Sequence, residues 1–296
     1  MSKSYPNAES FRQALEARLR NAAQQRGVQI QGLRLKVAIE RLLARLFDDV
    51  EPPWLLKGGY AMELRFRPKA RTTRDLDLTT GDAVDPTALR QRLLEVHDDL
   101  QSAAAKDLGD SFEFLIQPAR SEILAAPGGG GVFGVLARMA GRDFARFHID
   151  VGFGDGVVGE AETLVGDELM DFAGIAPARV RAIPKAQQFA EKIHAYTFPW
   201  ADRENTRSRD LVDLLLLIER GDLDTATVRH ALVETFRRRA RHALPEDLPS
   251  PPAAWRDEFS AMAREAGVST DDVAEAFDAL VEYWNRLKPL QGAGSD

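Results

Sequence analysis

The chain has 296 residues, 44% of them apolar, no cysteine and a formal net charge of -7. That length can bury one large domain or two closely packed ones, and the missing cysteines exclude disulfides and thiolate metal sites. The acidic balance excludes general attraction to nucleic acid, so any such contact must come from local basic patches.

The first residues, MSKSYPNAES, hold no apolar signal stretch, and no segment approaches the roughly 20 apolar residues that span a bilayer. The expected address is therefore the cytoplasm. Helical spacing of apolar residues over 8–25 and 33–48, as in FRQALEARL and LKVAIERLLARLF, predicts two helices. WLLKGG reads as a short buried strand stopped by Gly58 and Gly59, and YAMELRF as the helix that follows. After the break at Pro68 comes an extended segment, RTTRDLDLTT. A helix is expected over 86–105, opened by Asp85 and Pro86. FEFLIQ, VFGVLARM and ARFHIDVGF complete the strands, giving a mixed sheet with helices on it. PGGGG at 127–131 lacks the Lys-Ser/Thr of a phosphate-gripping loop and reads as a flexible hairpin turn. From Pro184 onward the pattern is helical, over roughly 184–197, 207–220, 224–240, 252–266 and 270–288. The expected division is an α+β half, 1–183, and a helical half, 184–296, with 155–183 as the boundary segment.

Strands deplete aspartate, yet Asp75 and Asp77 alternate with leucines in RTTRDLDLTT. Strand alternation places Thr73, Asp75, Asp77 and Thr79 on one face and Leu76 and Leu78 on the other. Two anions on one face repel unless solvated or bridged by a cation, and hard oxygen ligands suit Mg²⁺ or Mn²⁺. A solvated edge strand is the plain alternative for a lone D-x-D. Asp150 in ARFHIDVGF supplies a third carboxylate on an otherwise apolar strand. Were the two strands neighbours, three acids would converge in the arrangement that activates an attacking hydroxyl and stabilises a leaving pyrophosphate. The Gly58-Gly59 turn ahead of a helix offers free backbone N–H groups for phosphates.

In the helical half, Lys192 of QFAEKIHAYTF either reaches a phosphate or is an ordinary surface lysine. Asp210 and Asp213 of SRDLVDLLLLIERG either complement a helix N-terminus or receive a lysine or hydroxyl. The run RFRPKARTTR, with Arg65, Arg67, Lys69, Arg71 and Arg74, could guide an RNA acceptor into the site. A second run, RRRARH at 237–242, serves RNA or merely complements a helix dipole.

Taken together, LLKGGYAMELR, RTTRDLDLTT, HIDVGF, QFAEKIHAYT and RSRDLVDLLLL resemble the AbiEii/AbiGii toxin family of nucleotidyltransferases, including its MenT-type members. The resemblance implies a DNA polymerase β-like core, a divalent cation and a nucleoside triphosphate substrate, CTP or GTP. It also implies a toxin–antitoxin or abortive-infection role beside an AbiEi-like antitoxin, and nucleotide transfer to the 3′ end of tRNA. Carried over, Gly58 and Gly59 become phosphate-binding glycines, Asp75 and Asp77 metal ligands, Lys192 the triphosphate lysine and Asp210 the acid of the last motif. Tyr60 stands where relatives carry a Ser or Thr that touches the nucleotide, and Thr73 where some carry a phosphorylated serine. A monomer is expected. A D-x-D glycosyltransferase, a kinase or transferase with another acceptor, and a non-catalytic regulator remain as rivals at this stage.

Overall fold

The structure, a computed structural model, describes residues 5–49, 51–67, 75–81, 84–123, 126–200 and 204–288. They fall into two compact units. The first runs to Leu64, resumes with the Asp75 strand through Asp155, and includes Glu162–Ala182; the second gathers Arg65, Gly156–Ala161 and the chain from Ile183.

The first unit opens with α1 (Ala8–Arg26) and α2 (Ile30–Leu46). Asn7 and Ser10 form a capping box at the start of α1, satisfying N–H groups the helix leaves unpaired. Next come β1 (Leu55–Lys57), α3 (Gly58–Phe66) and β2 (Asp75–Thr80). Helix α4 (Leu89–Ala104) follows a 3₁₀ turn that begins at Pro86, where Asp85 caps Thr87 as the sequence predicts. Strands β3 (Phe112–Glu122), β4 (Gly130–Met139) and β5 (Arg142–Phe153) are the expected three, somewhat longer.

The segment expected as a mere boundary instead contributes β6 (Glu162–Val165) and β7 (Arg179–Ala182). Among the described residues the sheet order is β3-β4-β5-β2-β1-β7-β6. Strands β2 and β5, and β1 and β7, run parallel; the other pairs are antiparallel. Leu76, Leu78, Phe133, Ile149 and Val151 are fully buried with α1, α2 and α4 in one hydrophobic cluster. Burying such side chains stabilises the unit by about 1.5–3 kcal/mol each.

Two local devices keep the sheet in order. The edge strand β3 is covered by α4: Gln101 donates to the Phe114 carbonyl and accepts from the Ile116 N–H, while His97 Nε2 lies 3.1 Å from the Ile116 carbonyl. Backbone groups that could recruit a stray strand are thereby occupied. The glycine turn before β4 joins antiparallel β3 and β4, the hairpin connection the sequence predicts, and its glycines are closely packed. Gly128 and Gly129 exchange hydrogen bonds with Phe153, and a Cβ on Gly130 would sit against Val151 O and 3.1 Å from the Gly152 α-carbon.

Helix α2 carries buried charge. Arg45 and Arg41 grip Asp110 at 2.6 Å each, and Arg45 and Asp110 are both 0% exposed. Burial pushes the Asp110 carboxyl up, but the two guanidiniums overcome it and hold it below the ordinary aspartate range. Glu40, one turn earlier, lies against Gly166, where a Cβ would come within 2.7 Å of its Cδ. Burial, and then the charge of Asp167, push Glu40 up to about 7.

The second unit is helical: α5 (Lys185–Tyr196), α6 (Ser208–Arg220), α7 (Thr225–Arg239), α8 (Arg256–Ala266) and α9 (Val273–Leu287). Helix α5 packs on α6 and α7, and α6 on α8 and α9, which is why Leu211 through Leu217 are buried all round. Among the described residues no helix is long and apolar enough to cross a membrane.

Candidate active site

Asp75, Asp77 and Asp150 come together on the first unit's sheet. In the parallel β2–β5 pair, Asp77 stands opposite Asp150 and Asp75 opposite His148. On the other side of β2, Lys57 of β1 stands opposite Asp77. Lys57, Asp77 and Asp150 therefore form one row across three strands, with Asp75 two residues along. All four are at least partly accessible, whereas Leu76, Leu78, Ile149 and Val151 on the reverse face are buried.

The site's electrostatics follow from this crowding. Burial, and next the charge of Asp75, push the Asp150 carboxyl above the ordinary aspartate range, against the opposing pull of Lys57. Lys57 Nζ is held 2.6 Å from Asp155 Oδ2, just past the end of β5. Neither Lys57 nor Asp155 stands out in the sequence, because a lysine ending a three-residue strand and an acid beyond another carry no pattern.

Gly58 explains why a glycine must follow β1. Its φ of 67° lies in the left-handed region, and a Cβ there would fall 2.6 Å from Asp77 Cγ and 2.9 Å from Asp77 Cβ. The Asp77 carboxylate thus leans over the first residue of α3, where the helix dipole favours negative charge. Gly59 is buried within the same turn.

Tyr60 is 1% exposed and packs in the hydrophobic core. Arg65 belongs to the second unit, where its guanidinium donates to Gln188 Oε1 and to the Ile183 carbonyl. Arg67 is half-buried. Lys69, Arg71, Thr73 and Arg74 lie outside the described residues. In the second basic run, Arg237 and Arg238 pair with Glu234, and Arg239 with Glu191.

In the second unit, Lys192 is not a surface lysine. It is 7% exposed, 2.9 Å from Asp210 Oδ1 and 2.6 Å from Asp213 Oδ2. The pair of α6 acids therefore receives a lysine, one of the two roles their sequence allowed. A buried ammonium requires such partners.

The carboxylate face fits a divalent cation. Among the described residues no three Asp, Glu or His side chains form a ready-made cation cage. Mg²⁺, however, is ordinarily bound by one or two carboxylates together with substrate phosphates rather than by an all-protein cage. The Asp77–Asp150 pair, with Asp75 acting on Asp150 through space, is such a donor set.

Solved structures of similar fold include MenT4, a nucleotidyltransferase toxin from Mycobacterium tuberculosis H37Rv. It is 19% identical, with 93% of this chain and 99% of that one covered at a TM-score of 0.57. A putative nucleotidyltransferase from H. pylori is 12% identical over 88% of this chain and 100% of that one, at a TM-score of 0.47. No curated protein matches the chain. The fold is accordingly α+β, a nucleotidyltransferase-like mixed sheet followed by helices. The family model for the nucleotidyl transferase AbiEii toxin of type IV toxin–antitoxin systems matches residues 41–283, and the chain belongs to that family.

Proposed function

We propose that this toxin transfers a nucleotide from a nucleoside triphosphate, CTP or GTP, to an RNA acceptor, the 3′ end of tRNA, in a reaction that depends on Mg²⁺ or Mn²⁺. The observation that carries this reading is the Lys57–Asp77–Asp150 row with Gly58 closed over Asp77. It supports a site built for clustered phosphate charge beside clustered carboxylates.

Asp77 and Asp150, with Asp75 beside them, would hold the divalent cation together with the substrate phosphates, and the cation when bound supplies positive charge to the phosphate oxygens. The Gly58-Gly59 turn presents the α3 N-terminus to the β and γ phosphates. Asp150 takes the proton of the acceptor hydroxyl. The hydroxyl oxygen bonds to the α phosphorus, the bond from that phosphorus to the bridging oxygen breaks, and pyrophosphate leaves with that oxygen. Lys192, oriented by Asp210 and Asp213, offers its charge to the triphosphate. An AbiEi-like antitoxin neutralises the enzyme, which acts in the cytoplasm as a monomer, and Thr73 offers a hydroxyl for phosphorylation ahead of the carboxylates.

The test is incubation of the purified chain with tRNA, Mg²⁺ and α-³²P-labelled triphosphates. Label at the RNA 3′ end, abolished by EDTA, is the expected result. Transfer from γ-labelled nucleotide only would make the protein a kinase on this fold. No labelling of total RNA from any triphosphate would exclude an RNA acceptor.

A further inference from the structure

Beyond the carboxylates, the open sheet face continues over β5, β4 and β3. His148 stands opposite Asp75 on one side and Gly134 on the other, so Asp75, His148 and Gly134 form a second row. Opposite Gly134 the register of β3 slips between Ile116 and Ala119, and it slips again one pair further on, between Ala119 and Ser121. Such irregularities re-aim side chains, and they recur beside active sites.

Here they direct Gln117 and Arg120 over Gly134, where a Cβ would come within 2.6 Å of Gln117 Oε1 and 2.8 Å of Arg120 Nη2. The bare glycine lets Arg120 lie across the sheet. Its guanidinium donates to Gln117 Oε1 and reaches His148 Nε2 at 3.3 Å, one strand from Asp75. Arg146, further along β5, is different: its charge is met by Asp143 at 2.6 Å. Arg120, Gln117 and His148 are all exposed.

We propose that this face of β3–β5 receives the acceptor RNA strand, with Arg120, held across Gly134 by Gln117 and His148, contacting a backbone phosphate. The proposal rests on the nucleotidyl-transfer reading and deepens it. In-line displacement places the attacking hydroxyl and the leaving pyrophosphate on opposite sides of the phosphorus. The strand order supplies two opposite flanks: β1 with Gly58 on one side of the carboxylates, and β5-β4-β3 with Arg120 on the other. With the leaving phosphates at Gly58, the acceptor approaches over Arg120. A guanidinium lying across the open sheet face suits a phosphodiester, and the acidic chain as a whole would repel RNA elsewhere.

The experiment uses the full chain and 5′-fluorescein tRNA without triphosphate, read by anisotropy. Arg120→Gln should weaken RNA binding about tenfold and lower the salt slope by about one, the effect of one lost phosphate contact. Arg120→Lys should recover part of the affinity. Calorimetric affinity for a non-hydrolysable triphosphate should be unmoved in both, and the melting temperature unchanged. Wild-type RNA affinity in Arg120→Gln, in a preparation whose unaltered parent labels tRNA, would overturn the surface while leaving the reaction standing. An equal loss of triphosphate and RNA affinity would also overturn it, as general distortion. A parent chain that neither binds nor labels tRNA would remove the RNA-acceptor reading itself, and this surface with it.

Discussion

The α-carbon of Gly58 and the carboxylate of Asp77 share a space that admits no further atom: a Cβ at residue 58 would lie 2.6 Å from Asp77 Cγ. Because Gly58 also has a φ of 67°, Gly58→Ala would incur both backbone strain and a collision with Asp77. The expected outcome is loss of transfer activity with about 1–3 kcal/mol of lost stability, measured by urea unfolding. Ser should behave as Ala does. A fully active Gly58→Ala enzyme would mean that Asp77 is free to move and is not held for a ligand.

Asp150→Asn tests the carboxylate cluster from the other side. Burial and Asp75 hold the Asp150 carboxyl above the ordinary aspartate range, so its ionised form is disfavoured in the folded chain. A raised folded pKa contributes stability that is present below the unfolded value and lost as pH rises through the folded one. Near neutral pH the amide should therefore leave apo stability level or higher. Mg²⁺ affinity by calorimetry and nucleotide transfer should both fall. Unaltered Mg²⁺ binding would take Asp150 out of the cation site.

The sequence made the central strands legible because their physics is periodic. Asp75-Leu76-Asp77-Leu78 alternates at the strand repeat, and His148-Ile149-Asp150-Val151 does the same, so the carboxylates of each strand could be assigned to one face of it, while the pairing that brings the two strands together shows only in the structure. Lys57 and Asp155 escaped because they meet across 98 residues with no local pattern. β6 and β7 escaped because four residues such as RVRA, with charged alternate positions, look like solvated coil until a neighbouring strand pairs with them. The basic run was read by charge alone, which hid that Arg65, at the end of the expected YAMELRF helix, is engaged by Gln188. The burial of Lys192 was equally hidden, since it depends on α6 packing against α5.

Lys192 and its two acids invite a comparison of variants. Asp213 is 0% exposed, and truncating one partner of a buried ion pair leaves uncompensated charge. Asp213→Ala should cost about 3 kcal/mol of unfolding free energy, less if Asp210 compensates. Lys192→Met should raise the triphosphate Kd about tenfold or more, the loss of a charge-assisted phosphate contact. Calorimetry showing wild-type triphosphate affinity in Lys192→Met would confine the lysine to a structural role.

Glu40 yields a pH prediction remote from the carboxylate face. Its carboxyl is pushed up to about 7 by burial and by Asp167, partly offset by backbone N–H groups of Asp167 and Ala178 and by the charge of Arg41. The folded pKa is raised, so the stability Glu40 contributes is fully present below its unfolded value of about 4.5 and is lost as pH rises through about 7. Lys36, bridging Glu63 at 2.8 Å and Asp167, does not titrate in that window, because its own pKa is raised. Glu40→Gln should remove this slope: the stability of the variant relative to wild type should increase by about 2–3 kcal/mol between pH 5 and pH 8. Any constant cost of replacing an acceptor oxygen by an amide group cancels in that difference. Parallel stability–pH curves for the two proteins would show that Glu40 is ionised across that range, and that water and the Asp167 and Ala178 N–H groups solvate it more fully than its burial implies.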